Sequence, residues 1–174
     1  RGIVLRGNEI SRCGNGLFLL ARVPELQMTR EVLIEGNYLH DNGVIGVEGV
    51  HSAYVQGIDI TVQFNYFGAT RPGASGNNLK MRVAGDVVRY NYFERGARVL
   101  DFVEVEDHAQ LVIPELFAEF KASDPTEVDP GDEERVAAAW KAYQETHVYG
   151  NVIFNTGEGA ATNLVHYSFD NTQN

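Results

Sequence analysis

An all-β fold, a right-handed parallel β-helix of about five to six coils with one helical excursion, is what this sequence predicts. Three observations predict it. A short phrase built around asparagine recurs at near-constant spacing. Between its recurrences stand short runs of alternating apolar and polar residues, bounded by turn-forming Gly, Asn and Asp. One segment breaks that rhythm with helical periodicity.

The phrase reads apolar residue, two residues, Asn, one residue, apolar residue. It occurs as LRGNEI (Leu5, Asn8, Ile10), IEGNYL (Ile34, Asn37, Leu39) and VQFNYF (Val62, Asn65, Phe67). It returns as VRYNYF (Val88, Asn91, Phe93) and VYGNVI (Val148, Asn151, Ile153). The asparagines stand 29, 28, 26 and 60 residues apart. Leucine-rich repeats of similar period need a leucine pattern that is absent, and helical repeats need a 3.6-residue rhythm. Stacked coils of short parallel strands meet the pattern, because each coil covers the sheet edge of its neighbour. At a coil corner, Asn tolerates left-handed backbone and bonds neighbouring backbone groups, so its recurrence reads first as structural.

The elements follow in order. CGNG and HDNG are turns, and GATRPGASGNN is a longer loop before an alternating strand that buries Leu79, Met81 and Val83. The 60-residue gap holds the excursion, Pro114 to Glu145, with Asp129 as cap, Pro130 in the first turn, and Val136, Trp140 and Tyr143 on one face. The chain rejoins the stack at HVYGNVI and turns again at FNTGEG.

One domain fits 174 residues, and 44% apolar composition supplies a core. The net charge of −10 excludes a nucleic-acid backbone as partner. That charge is local. Glu104 to Glu134 carries eleven acids and one base, Lys121, whereas the remainder balances 13 acids with 13 bases. The excursion's acids read as a solvated face. Cys13 is the single cysteine. No apolar run reaches the roughly 18 residues a membrane span needs. The chain opens and ends inside the repeat, and so reads as a fragment of a longer protein. GNG and GEG lack the strand and helix context of a phosphate loop.

Chemistry concentrates in Gly76 to Glu104. With Leu79, Met81 and Val83 inward, Lys80 and Arg82 project to the same outer face, about 7 Å apart. One coil on, Leu100 and Phe102 inward place Asp101 outward, within one strand spacing of about 4.8 Å. Val103 and Val105 inward would instead expose Glu104 and Glu106. The two registers conflict, which predicts a bulge near Phe102. Glu48 is expected near this face one coil earlier and His166 on a later coil. His51 and Tyr54 are expected to wall the same groove, and Arg71 reaches toward it from the long loop.

The segment QFNYFGATRPGASGNNLKMRVAGDVVRYNYFERGARVLDFVEVED, with HVYGNVIFNTGEGAATNLVHY, resembles right-handed parallel β-helix proteins of the pectate-lyase-like superfamily. Within it, the chain looks most like the bacterial polysaccharide-degrading β-helix proteins. Where that group commonly has Asp-Arg-Ser after the lysine, this chain has Met81, Arg82 and Val83. More distantly it resembles β-helix alginate and chondroitin lyases, with Lys80 at the place of their lysine base and Asp101 where they carry an arginine. The resemblance implies a polysaccharide substrate, a location outside the cell or in the periplasm, and possible calcium.

The expected chemistry is β-elimination in an acidic polysaccharide. Arg82 or Arg98 would neutralise the uronate carboxylate. Lys80 would be the base, since crowding by cations favours a neutral amine. Calcium would sit among Glu104, Glu106 and Asp107, beside Asp101. Arg98, Arg71, His51, Tyr54, Glu48 and His166 would bind substrate. Two readings stand beside this one. A carboxylate pair such as Asp101 and Glu104 would serve a glycoside hydrolase. A ladder of opposite charges that fixes register would suit a non-catalytic glycan-binding or structural module.

Overall fold

The computed structural model describes residues 2–21, 29–156 and 163–167. The end of the FNTGEG turn and the chain from residue 168 onward lie outside them. Among the described residues the chain is mostly β, with parallel sheets and two helices. The strands in chain order are β1 (Ile3–Arg6), β2 (Glu9–Ser11), β3 (Leu17–Leu19), β4 (Arg30–Glu35), β5 (Tyr38–His40) and β6 (Ala53–Gln63). There follow β7 (Tyr66–Phe67), β8 (Leu79–Arg89), β9 (Tyr92–Phe93), β10 (Arg98–Phe102), β11 (Thr146–Tyr149), β12 (Val152–Ile153) and β13 (Asn163–Tyr167). Every strand pairing is parallel.

Eight strands form one sheet and five form the other. The larger sheet divides along its two long members, β6 and β8. Their first halves pair with β3 and β10, and β13 follows β10. Their second halves pair with β4 and β11, and β1 precedes β4. The smaller sheet runs β2, β5, β7, β9, β12. Each of these three ladders is five strands deep. The division of β8 falls at Gly85, where φ is +76° and a Cβ would meet the Cβ of Ala142 at 2.9 Å. Only a residue without a side chain permits both the turn of backbone and the approach of the helix behind it.

The core lies between the ladders. Val32, Ile60 and Val88, then Leu79, Met81 and Leu100, point inward and are buried, with Phe67 stacked on Phe93 at 4.7 Å. Every recurring asparagine bonds to the next. Asn37 Oδ1 accepts from the backbone and side chain of Asn8, and Asn65, Asn91 and Asn151 repeat this upon the turn before. Their Nδ2 groups also donate to Leu5, Ile34, Val62 and Val88 carbonyls. Corner backbone that would otherwise be buried without partners is thereby satisfied.

The excursion forms α1 (Pro114–Ser123) and α2 (Asp132–Tyr143). α2 begins later than Asp129 and Pro130 suggest. Its cap residue is Gly131 in the left-handed region, and Asp132 Oδ2 accepts from the Asp129 N–H at 2.8 Å. Ala139 on α2 covers Ile58 and Ala84, which face outward where β6 and β8 bend.

Candidate functional site

The first half of the large sheet carries an outward column in register: Phe18, Tyr54, Lys80, Asp101, His166. Asp101 therefore meets Lys80, as the alternation of Leu79, Met81, Leu100 and Phe102 requires. No bulge is needed at Phe102, because β10 ends there and Val103 leaves the outward-inward alternation while its N–H still donates to Met81 O.

Asp101 is 0% exposed, and a carboxylate so placed demands donors. Asn77 Nδ2 donates to its Oδ2 at 2.6 Å, and His166 Nδ1 lies 2.7 Å from its Oδ1. Arg98 Nη1 stands 3.5 Å from Oδ1 and Lys80 Nζ 4.0 Å from Oδ2. A carboxylate only accepts, so Nδ1 is the ring nitrogen that donates to it. Lys80 lies over the Tyr54 ring, 5.8 Å from its centroid. His51 packs edge-on against Tyr54 at 5.5 Å, and its Nδ1 accepts from the Asn77 N–H at 3.0 Å. His51, Tyr54, Lys80, Arg98, Asp101 and His166 thus converge, joined by Asn77.

The remaining candidates stand apart. Arg82 projects beside Lys80 but is 3% exposed. Its Nε donates to the Tyr54 hydroxyl, its Nη1 to Glu104 O, and it pairs with the Glu104 and Glu106 carboxylates at 3.6 and 2.9 Å. Asp107 accepts from Gln56 Nε2 at 2.7 Å. The three carboxylates expected at calcium are each engaged by protein groups. Among the described residues no group of three or more His, Cys, Asp or Glu is arranged to hold a metal ion, and no chemical step is assigned to one. Arg71 lines a surface hollow of about 520 Å³ with Arg95, formed by the loop before β8 and the approach to β10. Glu48 sits exposed in a turn outside the strands. Of the two cations that pair with Asp101, Lys80 is 11% exposed and Arg98 38% exposed.

Sequence reasoning missed Asn77, Gln56 and Asp86. Asn77 had a signal, since the pair Asn77-Asn78 closes a loop just before a strand. Gln56 is buried and joins the Tyr54 hydroxyl, Asp107 and the Ala21 N–H, which no spacing reveals. Asp86 occupies an inward place in register with Ile60. Burial pushes its carboxyl up to about 6, against a hydrogen bond from Thr146 Oγ1 at 2.9 Å. It borders a cavity of about 290 Å³ with Met81, Phe102, Trp140, Tyr143 and Tyr167. His108 is the converse case. Burial lowers its imidazole to about 4, the Gly57 backbone and Asp107 charge offset this only in part, and neither ring nitrogen completes a hydrogen bond.

Among the described residues no helix is long and apolar enough to cross a membrane. No protein-family model, curated protein or solved structure matches the chain.

Proposed function

We propose that the chain winds as a right-handed parallel β-helix and cleaves an acidic, uronate-containing polysaccharide by β-elimination, outside the cell or in the periplasm. The winding is supported by three parallel ladders, each five strands deep, visited in the same order by successive stretches of chain. The observation that carries the chemistry is the fully buried Asp101 held against His166 at 2.7 Å beside the cations Lys80 and Arg98.

A buried carboxylate that fixes one imidazole nitrogen leaves the other aimed outward as a general base. Here that nitrogen is His166 Nε2. It takes the proton beside the uronate carboxylate, while Arg98 and Lys80 stabilise the negative charge that builds on that group. The electron pair forms the carbon–carbon double bond, the bond to the glycosidic oxygen breaks, and the oxygen leaves with a proton. The Tyr54 hydroxyl accepts from Arg82 and Gln56, so its own proton is directed elsewhere and suits that last step. The base thus moves from Lys80, its place in the sequence reading, to His166.

The test is incubation with polygalacturonate, alginate and chondroitin, watching for the ultraviolet absorbance of an unsaturated uronate. Product from the native protein and none from His166→Ala supports the proposal; reducing ends without that absorbance mean hydrolysis instead. A second reading, a non-catalytic glycan module, is favoured by the alternation of Lys80, Asp101 and Arg98, which by itself fixes strand register. Binding without any product would establish it.

A further inference from the structure

The five asparagine corners share one backbone feature. The residue before each asparagine adopts positive φ: Gly7 at 67°, Gly36 at 63°, Phe64 at 55°, Tyr90 at 55° and Gly150 at 66°. Three corners use glycine, as left-handed backbone favours. Two adjacent corners use bulky aromatics, for which this region is strained. Folding does not require those rings, because glycine does the same work on either side of them.

Nor are the rings hidden. Phe64 is 56% exposed, Tyr90 49% and Tyr149 43%. Their centroids follow one another at 5.4 and 5.5 Å. Tyr90 lies so close over Gly150 that a Cβ there would meet its ring at 2.4 Å. A second column, exposed Tyr38 and Tyr66 with half-buried Tyr92, runs alongside on the small sheet at 4.8 and 5.0 Å. Tyr66 donates to Glu94.

A polar track borders the corner. Arg6, Glu35, Gln63, Arg89 and Tyr149 occupy one register line across five strands. Gln63 donates to Glu35 at 2.9 Å, and Arg89 donates to Gln63 at 2.8 Å and to the Tyr149 hydroxyl at 2.9 Å. Arg89 also stands 6.0 Å from the Tyr90 ring centroid. Exposed apolar surface of this kind marks an interaction site.

We propose that the Phe64–Tyr90–Tyr149 corner is a glycan-binding platform, separate from the Asp101 group. Phe64 and Tyr90 stack on one another and Tyr149 stands perpendicular to Tyr90, so the row offers exposed ring edges to the C–H side of a pyranose, while planar amide and guanidinium groups meet its hydroxyls. Both kinds of group repeat at one-strand intervals along an open line, which suits a linear polymer of repeating units. Lys80 and Arg89 stand on opposite sides of the bend at Gly85, in different ladders, so the platform lies apart from the Asp101 group. It shares with the proposed function only the assumption that the ligand is a polysaccharide.

The test uses a substitution that the fold already accepts, Phe64→Gly with Tyr90→Gly. Native electrophoresis through gels containing polygalacturonate or hydroxyethylcellulose reads binding, and thermal unfolding reads integrity. Retardation of the native protein, weakened at least tenfold in the double variant with an unchanged or higher melting temperature, supports the platform. Unaltered retardation of the double variant, or none of the native protein in either gel, overturns it. So does a double variant whose oligomeric state changes on size exclusion while its binding does not, since the rings would then face a second copy. His166→Ala separates the two proposals: it should be retarded like the native protein, whatever happens to product formation.

Discussion

The two ends of β8 put outward side chains to opposite uses. At the Leu79 end, the neighbours of Lys80 gather charge around a carboxylate that solvent does not reach. At the Arg89 end, the neighbours of Tyr90 leave rings about half exposed and tie their polar groups into a surface track. A buried charge is tolerable only when every lone pair is met, which makes the first end rigid and chemically directed. Exposed rings need no buried partners, although Phe64 and Tyr90 carry left-handed backbone strain. One strand can therefore hold a fully bonded buried charge and an open aromatic surface without either disturbing the other.

The largest expected effect is at the first end. Asp101→Asn keeps shape but offers an amide N–H or oxygen where a carboxylate fixed the ring, so product formation should fall about 100-fold or more. Unsaturated-product assays at matched folded protein would show it, and an undiminished rate would remove Asp101 from the chemistry. Next is Asn65→Ala, at the corner beside the exposed end. It takes the acceptor from the Asn37 backbone and side chain, and should cost about 3–4 kcal/mol, several times a single net hydrogen bond. Urea unfolding would measure that.

A subtler contrast concerns pH. Asp86 binds its proton more tightly folded than unfolded, so its contribution is present at low pH and lost as pH rises from about 4 to about 6. His108 binds its proton less tightly folded, so its contribution is present above the unfolded value near 6.5 and lost as pH falls toward about 4. Each is worth about 3 kcal/mol at 1.36 kcal/mol per pKa unit, and they oppose one another. Asp86→Asn should make melting temperature climb from pH 4 to 6.5, whereas His108→Leu should make it drop over pH 4 to 6. Parallel profiles would show that neither group titrates as its burial requires. The smallest effect belongs to the exposed end. Phe64→Gly releases about 1–2 kcal/mol of left-handed strain, offset by glycine's about 0.5–1 kcal/mol of chain entropy and a ring contact of about 0.5–1.5 kcal/mol. Its stability should stay within about 1 kcal/mol of the native protein.

The asparagine phrase, the parallel pairing of Lys80 with Asp101 and the helical break after Pro114 were legible in the sequence, because each follows from a local period. The identity of the groups around Asp101 was only half legible. His166 stands 65 residues from it, and no short-range pattern distinguishes a histidine that orients on a carboxylate from one that does not. Arg82 shows the reverse difficulty. Alternation places it outward correctly, but the Glu104–Glu106 segment folds back over it, and strand period says nothing about what covers a face. Phe64 and Tyr90 were visible as letters in the repeat, yet the cost of their backbone becomes apparent only with φ.

The asparagine row also has a direction. Each amide oxygen receives from the preceding turn, so the side-chain dipoles all point the same way along the stack, much as peptide units do within an α-helix. Within the described row the accepting side lies toward Asn8 and the donating side toward Asn151, so every corner reads its neighbour in the same sense and a corner inserted in the opposite sense would set donor against donor.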